Sequence, residues 1–92
     1  MLRTAAKVDK NQAEIVRKLR QIGAYVKVVS QLKGFVDIVV AYRRTWFFME
    51  IKVDTKAQLT PKEKEFWQEV GDRAPIYRVN SWEEALEVIT RR

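Results

Sequence analysis

Asp37, Glu50 and Lys52 are the residues of this chain best suited to chemistry. They stand inside "GFVDIVVAYRRTWFFMEIKV", Gly34 to Val53, which otherwise reads as two apolar β-runs joined by a polar turn. Acidic residues are poor strand formers and are costly to bury, so two acids and a base in such a stretch need a reason. The chain has no histidine and no cysteine. That excludes a Ser-His-Asp triad, an imidazole base, thiolate metal sites and the commonest zinc centres. Catalysis is left to carboxylates, lysine, hydroxyls and a hard metal ion.

Side chains alternate between the two faces of a strand. Val36, Ile38 and Val40 in one run, and Phe47, Met49, Ile51 and Val53 in the next, form wholly apolar faces and are the expected core. Phe35, Asp37, Val39 and Ala41, with Trp46, Phe48, Glu50 and Lys52, take the other face. A turn centred between Arg43 and Arg44 sets Asp37 directly opposite Glu50, with Cβ atoms roughly 4.5–5.5 Å apart. Arg-Arg suits the left-handed centre of a two-residue turn poorly, so "YRRT" is expected to form a four-residue loop in the same register. Like charges so placed repel unless something neutralises them. Either they bind a divalent cation such as Mg²⁺, which takes hard oxygen ligands, or Glu50 pairs with Lys52 and Asp37 with a nearby arginine on a solvated face. The trio on one face, in a chain lacking His and Cys, favours the metal site. Lys52 would then orient or activate a bound water, or stabilise charge on a phosphate.

The elements around this hairpin follow from periodicity and punctuation. "DKNQAEIVRKLRQIGA" reads as an amphipathic helix with Ala13, Ile15, Val16, Leu19 and Ile22 on its apolar face. Asn11 and Glu14 have the spacing of a capping pair at its start, and Gly23 is its stop. "AYVKVVS" is a first strand, "FVDIVVA" a second and "WFFMEIKV" a third, with "QLKG" as a turn and "DTKAQ" as a loop. "LTPKEKEFWQEVG" is a helix capped by Thr60 and Glu63 with Pro61 at its first position and Gly71 as its stop. "APIYRV" is a fourth strand, and "SWEEALEVITRR" a last helix with the same box in Ser81 and Glu84. The α-β-β-β-α-β-α order, with a crossover from the third strand to the fourth, predicts an α/β fold with a mixed sheet flanked by helices.

The 92 residues fit one domain, spanning 1–92, with a small core for which dimerisation would be a help. Eighteen Lys and Arg against 12 Asp and Glu give a net charge of +6, which suits a polyanionic partner. No apolar run approaches a membrane span and the start "MLRTAAKVDK" has no signal-peptide core, so the expected location is the cytoplasm.

Asp37 followed in the next strand by "EIK" (Glu50-Ile51-Lys52), in an αβββαβ order, resembles the PD-(D/E)XK nuclease superfamily. The glycine three residues before the aspartate, the short hairpin and the helix opening "LTPKEKEFW" strengthen the likeness, which covers about Asn11 to Val79. The small size and the glutamate on the leading helix are similar to archaeal-type Holliday junction resolvases and to stand-alone phage-type VRR-NUC nucleases. The resemblance implies a restriction-endonuclease-like core in a prokaryotic, archaeal or phage-encoded protein. It implies Mg²⁺, with Mn²⁺ able to substitute, held by Asp37, Glu50 and the main-chain carbonyl of Ile51. Glu14 matches the glutamate that completes the metal shell in resolvase-like members, or is only the capping partner of Asn11. Lys52 matches the motif lysine, and Ser30 loosely matches a serine near the resolvase site. Val36 stands where the motif has proline. Glu63 stands where VRR-type members often carry glutamine, but it also reads as the Thr60 cap.

The activity so implied is metal-dependent hydrolysis of phosphodiester bonds in branched DNA, foremost Holliday junction resolution by a homodimer, in recombination or repair. The alternatives are a nuclease of the same fold acting on flap, nicked or duplex DNA, and a non-catalytic DNA-binding module. Candidate backbone contacts are Arg17, Lys18, Arg20, Lys27, Lys33, Arg43, Arg44 and Lys56. Trp46, Phe48, Trp67 and Trp82 exceed what so small a core needs, which leaves one or two for a dimer interface or for stacking on DNA.

Overall fold

The computed structural model describes residues 2–52 and 58–91, with side chains from residue 10 onward. Helix α1 spans Leu2–Gln21, followed by strands β1 (Tyr25–Val28), β2 (Ile38–Tyr42) and β3 (Thr45–Ile51). Helix α2 (Pro61–Val70), strand β4 (Tyr77–Val79) and helix α3 (Trp82–Thr90) complete the chain. The sheet order is β1-β2-β3-β4; β1/β2 and β2/β3 are antiparallel, and β3/β4 is parallel. A parallel neighbour requires a crossover, and α2 provides it. This is the mixed sheet flanked by helices expected from the sequence.

One face of the sheet carries the core. Ile15, Val16 and Leu19 of α1 and Ala85, Val88 and Ile89 of α3 pack on Val26, Ile38, Val40, Met49, Ile51 and Val79. Of these strand residues, Ile38, Val40, Met49 and Ile51 belong to the apolar set that alternation singles out, and Val26 and Val79 extend it onto the flanking strands. Ala13 and Ile22 depart from expectation. Both are exposed, because α1 turns its face toward α3 and leaves the two residues at its rim.

Helix α1 also starts earlier than its capping signal suggests. It runs from Leu2, and the stretch before Asn11 holds neither Gly nor Pro to stop it. Asn11 therefore lies mid-helix and is no cap. Its side-chain amide donates instead to the carbonyl of Asn80, at 3.0 Å, and to that of Lys52, at 3.5 Å. The helix ends as expected at Gly23, whose φ of 95° allows a paired closure: Gly23 N–H to Arg20 O and Ala24 N–H to Leu19 O.

The other face of the sheet is covered by α2 at one end. Phe35 meets Phe48 and Phe66 edge-on, with centroids 5.8 and 5.3 Å apart. Thr60 and Glu63 form the expected reciprocal capping box. Gly71 stops α2 without turning left-handed; it stays in the right-handed region, and a further turn runs on to Ala74. At α3, Ser81 accepts from Glu84 N–H, but the Glu84 carboxylate reaches past Ser81 to the N–H of Asn80, so only half of that box forms.

Candidate active site

From Ile38 to Tyr42 the hairpin keeps the expected register, through a tighter turn than expected; at Asp37 it slips by one, so that Asp37 and Ile38 both face Met49. Ile38 faces Met49 and Tyr42 faces Thr45, leaving only Arg43 and Arg44 in the turn. Both are left-handed, with φ of 51° and 66°. The backbone twist of such a turn matches the twist of the strands. The long, well-paired hairpin thus holds two arginines in a conformation that a non-glycine residue disfavours.

One step beyond Ile38, Asp37 leaves the regular strand but stays pinned on both sides. Its N–H donates to Met49 O at 3.0 Å, and its carbonyl accepts from Val29 N–H at 2.9 Å. Its carboxylate takes over the next rung of the ladder, with Oδ2 accepting from Ile51 N–H at 2.8 Å. Burial pushes the Asp37 carboxyl up, and the Ile51 N–H works in the other direction. Ile51 thus supplies its side chain to the core and its main chain to the site.

Glu50 is 1% exposed and is the only charged residue classed as buried among those described. One carboxylate oxygen, Oε2, lies 3.4 Å from Lys52 Nζ; the other, Oε1, is buried with no hydrogen-bond partner. Burial first, then the negative charge of Asp37, push its pKa up to about 9. Lys52 donates to Glu63 Oε1 at 2.9 Å. Burial works against the Lys52 charge, but the hydrogen bond and charge of Glu63 and the charge of Glu50 outweigh it and raise its pKa. The side chain is therefore held as an ammonium.

Glu63 does more than cap a helix. The same oxygen that accepts from Lys52 accepts from Thr60 N–H at 2.8 Å. Burial opposes its ionisation, yet these two bonds leave its pKa lowered. The capping spacing was readable in the sequence; the link to Lys52 was not, because it depends on how α2 lies over the sheet. A groove lined by Ser30, Lys33, Asp37, Lys62 and Glu63 leads to this cluster. Ser30 and Lys33 thus share a surface with Asp37.

The other expected residues are elsewhere. Glu14 is exposed on α1, 3.9 Å from Lys18, in a separate groove with Lys10, Asn11 and Arg17. Among the described residues no three His, Cys, Asp or Glu form a group able to hold a metal ion. Glu14 accordingly does not close a shell with Asp37 and Glu50 here, since the α1 face that carries it is turned to solvent. Arg20 donates to Val26 O at 2.9 Å and serves the fold. Lys18 lies over the Trp82 ring and Arg43 over that of Tyr42. Arg17, Lys27 and Arg44 are exposed, and Lys56 falls outside the described residues. Of the aromatics, Trp46 is exposed, whereas Phe48, Trp67 and Trp82 are half-buried.

The donor set suits a hard divalent cation. The two carboxylates offer only oxygen, one of those oxygens is buried without a partner, and the cost of ionising Glu50 falls if a cation shares the site.

The fold has a known counterpart. A solved structure described as a "VRR_NUC domain" superposes with a TM-score of 0.72 over 92% of this chain and 96% of that one, at 20% sequence identity. This chain has the VRR_NUC-domain fold. No family model and no curated protein matches its sequence. The β2–β3 hairpin and the crossover helix α2, which hold Asp37, Glu50, Lys52 and Glu63, are thus parts of a VRR_NUC-type architecture.

Proposed function

We propose that the protein is a metal-dependent endodeoxyribonuclease that hydrolyses phosphodiester bonds in branched DNA, with the Holliday junction as its foremost substrate. The observation that carries this reading is the half-buried Asp37 beside the buried Glu50, which has one oxygen without a partner and the other 3.4 Å from the Lys52 ammonium, in a VRR_NUC-type fold. Asp37, Glu50 and the Ile51 carbonyl would hold Mg²⁺ or Mn²⁺, and Glu14 could join them only if its side chain left Lys18. When bound, the cation supplies Lewis-acid polarisation of the scissile phosphate and stabilises charge on the departing oxygen.

The chain's own groups do the rest. Lys52, fixed by Glu63, orients the attacking water, whose proton passes to solvent, and offsets charge on the phosphate. Ser30, Lys33 and Lys62 line the approach for the DNA strand, and Arg17 and Arg44 add backbone contacts whose strength falls with salt. A homodimer would present two such sites to a two-fold junction. No helix among the described residues is long and apolar enough to cross a membrane, and we place the protein with DNA in the cytoplasm.

The test uses labelled four-way junction, flap and linear duplex, with Mg²⁺ or EDTA. Paired symmetric nicks in the junction, abolished by EDTA and by Asp37→Ala, are expected. Equal cleavage of all three substrates would remove the junction preference. Tight binding without cleavage in Mg²⁺ or Mn²⁺ would overturn the nuclease reading.

A further inference from the structure

The end of the sheet that α2 leaves uncovered has a composition of its own. In the cross-strand register Tyr25 faces Ala41, which faces Trp46, so all three share one row on the side of the sheet opposite the core. The small Ala41 lets the outer rings meet edge to face, with centroids 6.4 Å apart at 88°. Tyr25 and Trp46 are 57% and 58% exposed, the two most exposed large hydrophobic residues described. In the next row, Lys27, Val39 and Phe48 lie side by side. Lys27 is exposed, as is Arg44 at the adjacent turn, and neither is ion-paired with a described residue. Neither row holds an acid.

We propose that this face is a stacking platform for unpaired bases of a nucleic-acid strand, with Trp46 and Tyr25 as the rings and Lys27 and Arg44 as phosphate contacts. Every nucleobase has a π-face, so exposed aromatic rings flanked by cations bind single strands with little regard to sequence. A second copy of the chain suits the face poorly. A two-fold contact would gather two Lys27 and two Arg44 around desolvated rings, with no acid in either row to offset them.

The position also fits the acid pair. Trp46 and Glu50 point the same way along one strand, four residues apart, or about 13 Å. That is about four steps of a DNA strand at the duplex spacing. A strand cut near Glu50 would reach the platform about four nucleotides away. The platform rests on the proposal that branched DNA is the substrate, and it adds a grip on bases unpaired near the cut, whether in a flap or in a junction opened at its branch point.

The test measures binding in EDTA, by fluorescence anisotropy, to a labelled single strand, a flap and a blunt duplex. Trp46→Ala should weaken single-strand binding roughly 5- to 150-fold, the range for losing one stacked base, with a smaller loss for blunt duplex. Trp46→Phe, which keeps a ring, should restore most of the loss; that rescue separates stacking from misfolding. Lys27→Gln should lower the salt slope for single strands by about 0.7, one phosphate contact. Unchanged single-strand binding in Trp46→Ala, with cutting retained in the wild type, would overturn the platform alone. Failure of the wild type to bind the single strand or the flap, while it cuts a four-way junction in Mg²⁺, would overturn the platform and leave the nuclease reading standing. Conversion of a dimer to a monomer by Trp46→Ala, seen in sedimentation, would make the face a dimer interface and refute the platform.

Discussion

Replacing Glu50 with glutamine keeps the shape of the side chain and removes its capacity to ionise, which makes its buried carboxyl measurable as stability. In the cation-free fold the Glu50 pKa stands at about 9, against an ordinary 4.5. The folded state therefore holds a proton that the unfolded chain gives up. Below about pH 4.5 both states are protonated and the residue costs nothing; as pH rises toward 9 the wild type loses stability. The slope is about 1.4 kcal/mol per pH unit, so by pH 7 the penalty is about 3 kcal/mol. For a domain of this size that is a large share of the whole. Asp37, also raised, adds a smaller trend of the same sign. The assay is urea unfolding in EDTA, from pH 5 to 8, for the wild type and Glu50→Gln. The variant should be more stable at pH 8 by a margin that shrinks to under about 1 kcal/mol at pH 5. Millimolar Mg²⁺ should stabilise the wild type most at pH 8 and Glu50→Gln far less. Parallel profiles for the two proteins would refute the reasoning, since Glu50 would then ionise alike in both states.

Further predictions follow from the same geometry. Asp37→Asn keeps an oxygen for the Ile51 N–H but removes the charge facing Glu50, so the pH at which Glu50 titrates should fall, read by side-chain carboxyl NMR. Putting Asn-Gly in place of Arg43-Arg44 relieves two left-handed arginines and should raise stability by about 1–2 kcal/mol in chemical unfolding. Asn11→Ala removes the bond to Asn80 O and should cost about 1 kcal/mol. Leu19→Ala empties a fully buried position between α1 and the sheet and should cost about 2–5 kcal/mol.

What could be read in advance depended on range. Alternation in the hairpin separated Ile38, Val40, Met49 and Ile51 from Asp37 and Glu50 because a period of two admits only two faces. The Thr60–Glu63 box was legible because its partners are three residues apart. The two-residue turn at Arg43-Arg44 is not legible locally, because the paired length of the strands overrides arginine's own preference. Asn11 looked like a cap for the same reason: its spacing to Glu14 is local, whereas its partners, Asn80 and Lys52, lie on other elements. Glu14 reads equally as a third acid of the site or as the cap partner of Asn11, because local spacing does not decide where a long side chain on an exposed helix face comes to rest; it lies beside Lys18.

The single oxygen of Glu63 that serves both Thr60 and Lys52 ties two events together. Helix α2 has no fully buried residue, so it is the element least anchored to the rest. When its first turn frays, the cap and the grip on Lys52 are lost in the same motion, while α1, α3 and the sheet remain folded. Heating should therefore disable the site before it melts the protein, with the fall in cleavage on a temperature ramp preceding the loss of helical and sheet signal.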